Sequence, residues 1–392
     1  MTRTADEFWA ILRASLFGAS LPAEFIVEDD AALLSLARRQ EMLHLLYVPL
    51  VSTRILPTLS EPVQTAITEA HLRAIQRTAQ LVHEQRQITA VLDRIGVAYI
   101  PLKGAALREY WRSPWKRTSC DIDILIHPED AARAADALSA ELGYRVASLG
   151  HHDHSLYAPN GVHLELHFSL SLNLPADRVL ARVWEYASPL GEGGCHQLDP
   201  AFMFVYLAAH HVSHLLAGGG GIRPVADIAF LLRAKVPNDQ LMEALAAEAE
   251  LTDFLLADLE LGVSLIRGST PAPTAEMLRD WLLSGGIYGD VDRRAAIRRT
   301  AKSAPARRRA RRRYVISRLF PPCRTLAVSY PVLRRAPVLL PFVWCHRLLR
   351  LLFGGRLRVT LRRLRADRAA KAPTVATAAA LMQALKLTPP SV

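Results

Sequence analysis

Residues 117–126 of this 392-residue chain read Arg-Thr-Ser-Cys-Asp-Ile-Asp-Ile-Leu-Ile, and the expected architecture is built around them. Isoleucines alternate with Asp121 and Asp123, so a β-strand here places both carboxylates on one face and the isoleucines on the other. Adjacent like charges raise each other's proton affinity, and a hard divalent cation held by carboxylate oxygens relieves this repulsion. The spacing makes this strand a candidate Mg²⁺ site, although a lone Asp-x-Asp is more often part of a solvated strand edge.

The sequence upstream strengthens the cation-site interpretation. Residues 97–101 form a short apolar strand that leads through Lys103 and Gly104 into a helical stretch at residues 105–111. A strand, a glycine turn and a helix start point backbone N–H groups at an anion, and Lys103 adds a positive charge. This turn therefore predicts a phosphate-binding site.

A second alternating segment follows downstream, at residues 162–167. Its polar face carries Glu165, a third carboxylate, and His167, which either acts in the site or is a hydrogen-bonded structural histidine. Asn160-Gly161 before it is a strong hairpin-turn signal. We expect the hairpin to return Glu165 toward the two aspartates.

These motifs resemble the nucleotidyltransferases that have a DNA polymerase beta-like fold. The run Pro101-Leu-Lys103-Gly104, followed by Arg117-x3-Asp121-Ile-Asp123, looks like a little-characterised bacterial branch of that superfamily. The resemblance is most specific over residues 95–170 and continues more loosely on both sides. The chain departs from the superfamily at two points: its turn is Lys-Gly rather than Gly-Ser, and its third acid is Glu rather than Asp.

The resemblance implies a fold class and a set of roles. The fold is α+β, with a polymerase beta-like nucleotidyltransferase core, a small mixed sheet, flanked by N- and C-terminal helical regions. Asp121 and Asp123 are expected to bind two Mg²⁺ ions, and Glu165 to hold the one that activates an acceptor oxygen. The expected nucleotide-binding residues are Lys103, Gly104, Arg117, His167, His210, His214 and Asp227, with Lys103 and the Gly104 amide on the triphosphate and Arg117 near the leaving pyrophosphate.

Three of these residues lie in the helical segments after the core. His210 and His214 are four residues apart and share one face of a helix, and Asp227 lies on the next helix. They form either a metal site or a set in which Asp227 orients a histidine against the nucleotide or packs two helices, and we favour the second interpretation. Residues 151–154, His-His-Asp-His, are a less favoured metal cluster because consecutive strand residues point to opposite faces.

We divide the chain into four regions. An N-terminal helical region covers 1–92, the nucleotidyltransferase catalytic core 93–170, a helical domain 171–290, and a basic amphipathic C-terminal region 291–392. In that helical domain, Asn238 is expected to cap a helix that runs on to Leu261. Residues 291–371 hold 24 lysines and arginines and only two acids, so the rest of the chain is net acidic although the whole carries +11.

Composition points to a globular protein of the reducing cytoplasm. Its four cysteines are far apart without a C-x-x-C pair, which supports neither a disulfide framework nor a zinc knuckle. The first residues lack the apolar run of a signal peptide, and no segment has the length expected of a transmembrane helix. The arginine clusters around apolar residues 338–353 favour an anionic membrane surface or an acidic partner over nucleic acid, with solvated surface helices as the plain alternative.

The expected function is Mg²⁺-dependent transfer of a nucleoside monophosphate from an NTP such as ATP to a small-molecule, glycan or peptide acceptor. The resemblance places such enzymes among tailoring steps of polysaccharide or natural-product biosynthesis. The alternative is a non-catalytic or weakly catalytic protein that binds a membrane or nucleic acid through its arginine-rich region.

Overall fold

The computed structural model describes most of the chain, namely residues 3–111, 113–150, 152–234, 237–300, 320, 322–323, 326, 330, 332–353 and 372–388. It forms two compact units, Met1–Tyr288 and Gly289–Val392. The acidic motif lies in the first unit.

A five-stranded mixed sheet is the centre of the first unit. Its strands are β1 (Tyr99–Pro101), β2 (Asp121–Ile126), β3 (Arg145–Leu149), β4 (Asp153–Tyr157) and β5 (His163–His167). In space they follow the order β1-β2-β5-β4-β3. The β2/β5 pair is parallel, and the other three neighbouring pairs are antiparallel. The predicted strands and the turn between β4 and β5 are present, and β1 is shorter than the expected strand.

Helices cover the apolar face of this sheet. The long helix α4 (Glu61–Arg94) and α6 (Ala131–Leu142) pack against the strands, and their core includes Ile122, Ile124 and Ile126 at 0% exposure. Gly143 ends α6 with a φ of 69°, a left-handed conformation that glycine adopts without strain. The alternation that predicted β2 thus buries its isoleucines and leaves its aspartates on the opposite, polar face.

The remaining helices of the first unit surround the sheet. They are α1 (Arg3–Phe17), α2 (Asp30–Arg39), α3 (Tyr47–Ser52), α5 (Lys103–Leu107), α7 (Asp177–Leu180), α8 (Pro200–Leu216), α9 (Arg223–Ala234), α10 (Asp239–Glu248), α11 (Thr252–Arg267) and α12 (Pro273–Ser284). A two-stranded sheet, β6 (Ala187–Pro189) with β7 (His196–Leu198), precedes α8. The expected α+β class, a small mixed sheet flanked by helices, is confirmed.

The expected single helix from residue 239 to 261 is wrong, because the segment forms α10 and α11 with a turn between them. Asn238 does cap α10, accepting a hydrogen bond from the Leu241 N–H. Glu250 then adopts a φ of 58°, which turns the chain. The Arg178 Nε donates to the Glu248 carbonyl at 2.6 Å and so satisfies the end of α10. Neither glycine nor proline marks this break in the sequence.

In the part of the second unit that the structure describes, helix α13 (Val291–Thr300) is followed by the helices Val332–Arg335, Leu340–Phe353 and Ala372–Ala384. Leu326, Leu333 and Val343 form a small apolar cluster, and α13 packs against Ala372–Ala384. Among the residues the structure describes, none of the helices has the length and apolar character needed to cross a membrane. Most of the arginine clusters predicted to contact a partner lie outside the described residues, so that contact stays a prediction.

Candidate active site

Three carboxylates meet on the polar face of the sheet. Asp123 is 3% exposed, and Asp121 is partly buried two residues earlier on β2. The parallel register of β2 and β5 pairs Asp123 with Glu165, so the third acid lies beside the second. The structure therefore brings together the three acids that the sequence motifs singled out.

Two histidines of β5 extend this acidic cluster. The ligand atoms of Asp121, His163 and Glu165 lie within 4.8 Å of one another, and so do those of Asp123, Glu165 and His167. The His163 Nε2 is 2.7 Å from the Ser155 Oγ, and its ring stacks on Tyr157. His163 thus stands in a fixed orientation next to Asp121, although the sequence analysis gave it no role.

Asp123 binds two nitrogen groups through a single oxygen. Its Oδ1 accepts a hydrogen bond from the Lys103 Nζ at 2.8 Å and lies 2.9 Å from the His167 Nε2. Burial alone would raise the pKa of Asp123, but Lys103 and His167 hold it below its usual range. Burial disfavours the charged form of His167 as well, yet its hydrogen bonds to Asp123 and Glu165 raise its pKa to about 9. Asp123 and His167 are therefore both charged at neutral pH.

The other two acids differ in their electrostatic surroundings. Burial raises the pKa of Asp121, and the charges of Asp123 and Glu165 raise it further. For Glu165, the hydrogen bond with His167 lowers the pKa against the opposing effect of burial. Crowded carboxylates of this kind attract a cation.

The turn between β1 and α5 approaches the site through Lys103. Although burial disfavours the ammonium form, Tyr206 and Asp123 beside it hold the pKa of Lys103 above its usual range. A Cβ atom on Gly104 would lie 3.0 Å from the side chain of Ser119, so a glycine lets the turn pack closely on the segment that leads into β2. Lys103 points at Asp123, and Gly104 fixes the turn that carries it.

The comparison with protein families agrees with this geometry. A family model described as an uncharacterised nucleotidyltransferase matches residues 27–265. The chain belongs to this nucleotidyltransferase family. A search of curated proteins finds no match. The matched segment contains the whole five-stranded sheet, the three acids and helices α8 and α9. Membership of this family indicates that the protein is an enzyme that transfers nucleotidyl groups.

Arg117 and Asp227 of the nucleotidyltransferase pair with each other. The Arg117 Nε and Nη2 donate to the two carboxylate oxygens of Asp227 at 2.6 and 2.9 Å, and the Trp111 Nε1 donates to the same group at 3.2 Å. Both charged side chains are buried. This bidentate pair joins the segment before β2 to α9, and it supports a packing role for Asp227 rather than an orienting contact with a histidine.

Helix α8 places His210 near the acidic cluster of the nucleotidyltransferase. Burial and the charge of Lys103 lower the pKa of His210 well below its ordinary value, so its imidazole is neutral. The His214 ring lies edge-on to that of His210, with 4.5 Å between the ring centroids. Within the described part of the chain, the metal-ligating groups contain neither histidine. The same holds for His152, Asp153 and His154, while His151 lies outside the described residues.

Tyr206 is a residue that the sequence analysis missed. It is 3% exposed, and it is close enough to Lys103 to affect the pKa of that lysine. The signal was present in the sequence, because Tyr206 precedes His210 and His214 at four-residue intervals on a mostly apolar helix. This line of polar groups marks the face of α8 that is nearest to the acids.

Proposed function

We propose that this nucleotidyltransferase moves a nucleoside monophosphate from a nucleoside triphosphate to a hydroxyl or phosphate group of a small-molecule, glycan or peptide acceptor, in a Mg²⁺-dependent reaction. The observation that carries the proposal is the register that sets Glu165 beside Asp123, with Asp121 on the same face. A tailoring step in biosynthesis fits such an acceptor range.

The carboxylates fit a hard divalent cation. Their oxygens are the donors that Mg²⁺ prefers, and the repulsion that raises the pKa of Asp121 is relieved by a bound cation. Asp121, Asp123 and Glu165 would hold it. When bound, a divalent cation neutralises charge on the phosphates and favours the ionised form of the acceptor oxygen. The expectation of two Mg²⁺ ions stays a prediction. It has to account for the Lys103 ammonium, which contacts an oxygen of Asp123 that was expected to bind metal.

The protein's own groups position the substrates. Lys103 and the Gly104 amide would bind the triphosphate. The charged His167, which contacts both Asp123 and Glu165, would hold these two carboxylates in fixed orientations. Glu165 faces the acceptor in this arrangement, since its side chain is 29% exposed against 4% for that of Asp123. Phosphoryl transfer depends mainly on such positioning and on charge neutralisation.

The helical residues would complete the nucleotide pocket. His210 and His214, with Tyr206, would line the side of the pocket formed by α8. For Arg117 and Asp227, the bidentate pair favours an indirect role, in which they fix the segment that enters β2 and so place the two aspartates.

A label-transfer assay tests the proposal. The protein is incubated with Mg²⁺, a cell extract and each of the four ribonucleoside triphosphates carrying ³²P at the α-phosphate. We expect one nucleotide to label an acceptor, and Asp123→Asn to abolish the transfer because it removes a metal-binding charge.

The matched control is Asp136→Asn, which makes the same chemical change on the exposed face of α6. This variant should transfer label as the wild type does. Undiminished transfer by a folded Asp123→Asn variant, with its fold checked by circular dichroism, would remove the acidic cluster from the mechanism.

A further inference from the structure

Lys103 has an unusual backbone conformation. Its φ is 42°, in the left-handed region that a residue with a Cβ atom rarely adopts and that glycine adopts freely. Strain of this kind persists where the surrounding structure fixes it, and it clusters at functional sites. Glycine would fit the backbone better at position 103, which indicates that the lysine side chain has a function there.

The strained turn delivers an ammonium group to the place where a metal ligand is expected. The Lys103 Nζ lies 2.8 Å from the Asp123 Oδ1, and the two side chains are only 22% and 4% exposed. The His167 Nε2 lies 2.9 Å from the same oxygen. Asp123 is thus already surrounded by positive groups before any metal ion binds.

The two metal-ligating groups differ in this respect. The group of Asp123, Glu165 and His167 contains the carboxylate that Lys103 contacts, whereas the group of Asp121, His163 and Glu165 is built around the partly buried Asp121. The Asp123 Oδ1 is in contact with both the Lys103 Nζ and the His167 Nε2, so a cation at that oxygen would have to displace them.

We propose that the Lys103 ammonium takes the place of one of two divalent ions at Asp123, so that a single ion binds, at Asp121, His163 and Glu165. This inference rests on the proposed function and deepens it: it sets the number of ions at one, and it replaces Asp123 among the ligands by His163, with Asp123 as the partner of Lys103. Lys103 would then stabilise the triphosphate charge from the side of Asp123, while the ion serves the acceptor side.

Metal stoichiometry tests the inference without relying on activity. The full-length protein is titrated with Mn²⁺ alone, and free Mn²⁺ is measured by electron paramagnetic resonance. We expect one bound Mn²⁺ per chain in the wild type and two in Lys103→Met, in which Asp123 is released for a second ion. Lys103→Arg is the matched control and should bind one, since it keeps the charge. Methionine and arginine carry a Cβ atom as lysine does, so the free-energy cost of the positive φ at position 103 is about the same in all three proteins.

Each result decides the inference. Two ions in the wild type, or one ion in both the wild type and Lys103→Met, would overturn the role of Lys103 while leaving the metal-dependent function in place. Binding of no ion by any of the three proteins would overturn both. If Lys103→Met does not fold, as shown by circular dichroism, Lys103→Gly replaces it, because glycine adopts the positive φ without strain and leaves no group on Asp123.

Discussion

Asp123 is the residue at which the charges of the site converge. It is nearly inaccessible to solvent, and its Oδ1 contacts both Lys103 and His167. A buried carboxylate with such partners stays ionised, and losing it would leave two positive groups without their counter-charge. Substitution of Asp123 therefore affects stability as well as chemistry, so the separate role of the acceptor side is better tested at Glu165.

Glu165→Gln should slow transfer about 10²- to 10⁴-fold while nucleotide binding persists. The side chain keeps its shape and loses its charge, and the Asp123 contact with Lys103 is unchanged. Turnover and nucleotide affinity are measured in parallel with the nucleotide identified by the label-transfer assay. Equal loss of affinity and turnover would place Glu165 in nucleotide binding, and loss of neither would remove it from the site.

The segment before β2 and helix α9 are joined by the buried pair of Arg117 and Asp227. Asp227→Asn should lower the free energy of unfolding by about 3–5 kcal/mol, because a buried guanidinium is left without its counter-charge. Replacing both partners with apolar residues, Arg117→Met with Asp227→Leu, should recover most of that loss. Urea denaturation measures both variants.

The matched control for this pair is Glu248→Gln, which removes the exposed contact between Glu248 and Arg182. Its cost should be small compared with that of Asp227→Asn, because solvent screens an exposed ion pair. If the double variant recovers stability but transfers label slowly, the pair positions the β2 segment for catalysis. A loss in Asp227→Asn no larger than in the control would show that the buried pair contributes little.

The strands and helices of the catalytic region could largely be predicted from the sequence, whereas their partners could not. Strict alternation predicted β2 and β5, and Asn238 marked the start of a helix. Alternation is a local property, however, and the pairing of β2 with β5 is set by the packing of the whole sheet. For the same reason Lys103 was expected to face a phosphate, and its contact with Asp123 became visible only once the turn was placed beside β2.

The stability of the whole first unit should depend on pH through buried neutral histidines. Burial lowers the pKa of His44 to about 4, and its Nε2 contacts the Lys116 carbonyl oxygen at 3.0 Å. An unfolded histidine binds a proton near pH 6.5, so this group leaves the free energy of unfolding unchanged above that pH. As the pH falls from about 6.5 to 4, the unfolded chain binds more protons than the folded one, and stability is lost by at most about 3 kcal/mol.

His44→Gln should therefore reduce the loss of stability between pH 6.5 and pH 4, because glutamine does not titrate and can still donate to the Lys116 carbonyl. Denaturant unfolding at a series of pH values measures the slope. His83→Gln, on an exposed position of α4, is the control and should follow the wild-type profile. A His44→Gln profile identical to the wild type would show that other groups cause the acid sensitivity.

The crossover between β2 and β5 also governs when the acidic cluster can form during folding. Asp123 and Glu165 are neighbours in space, yet α6, β3 and β4 lie between them in the chain. The β4–β5 hairpin closes a short loop and can form early, whereas its docking on β2 requires a long loop to close, which is entropically costly and slow. A nascent chain that has released only the Asp-x-Asp strand therefore has no assembled acidic cluster, and we expect the cluster to form late in folding, when β5 docks on β2.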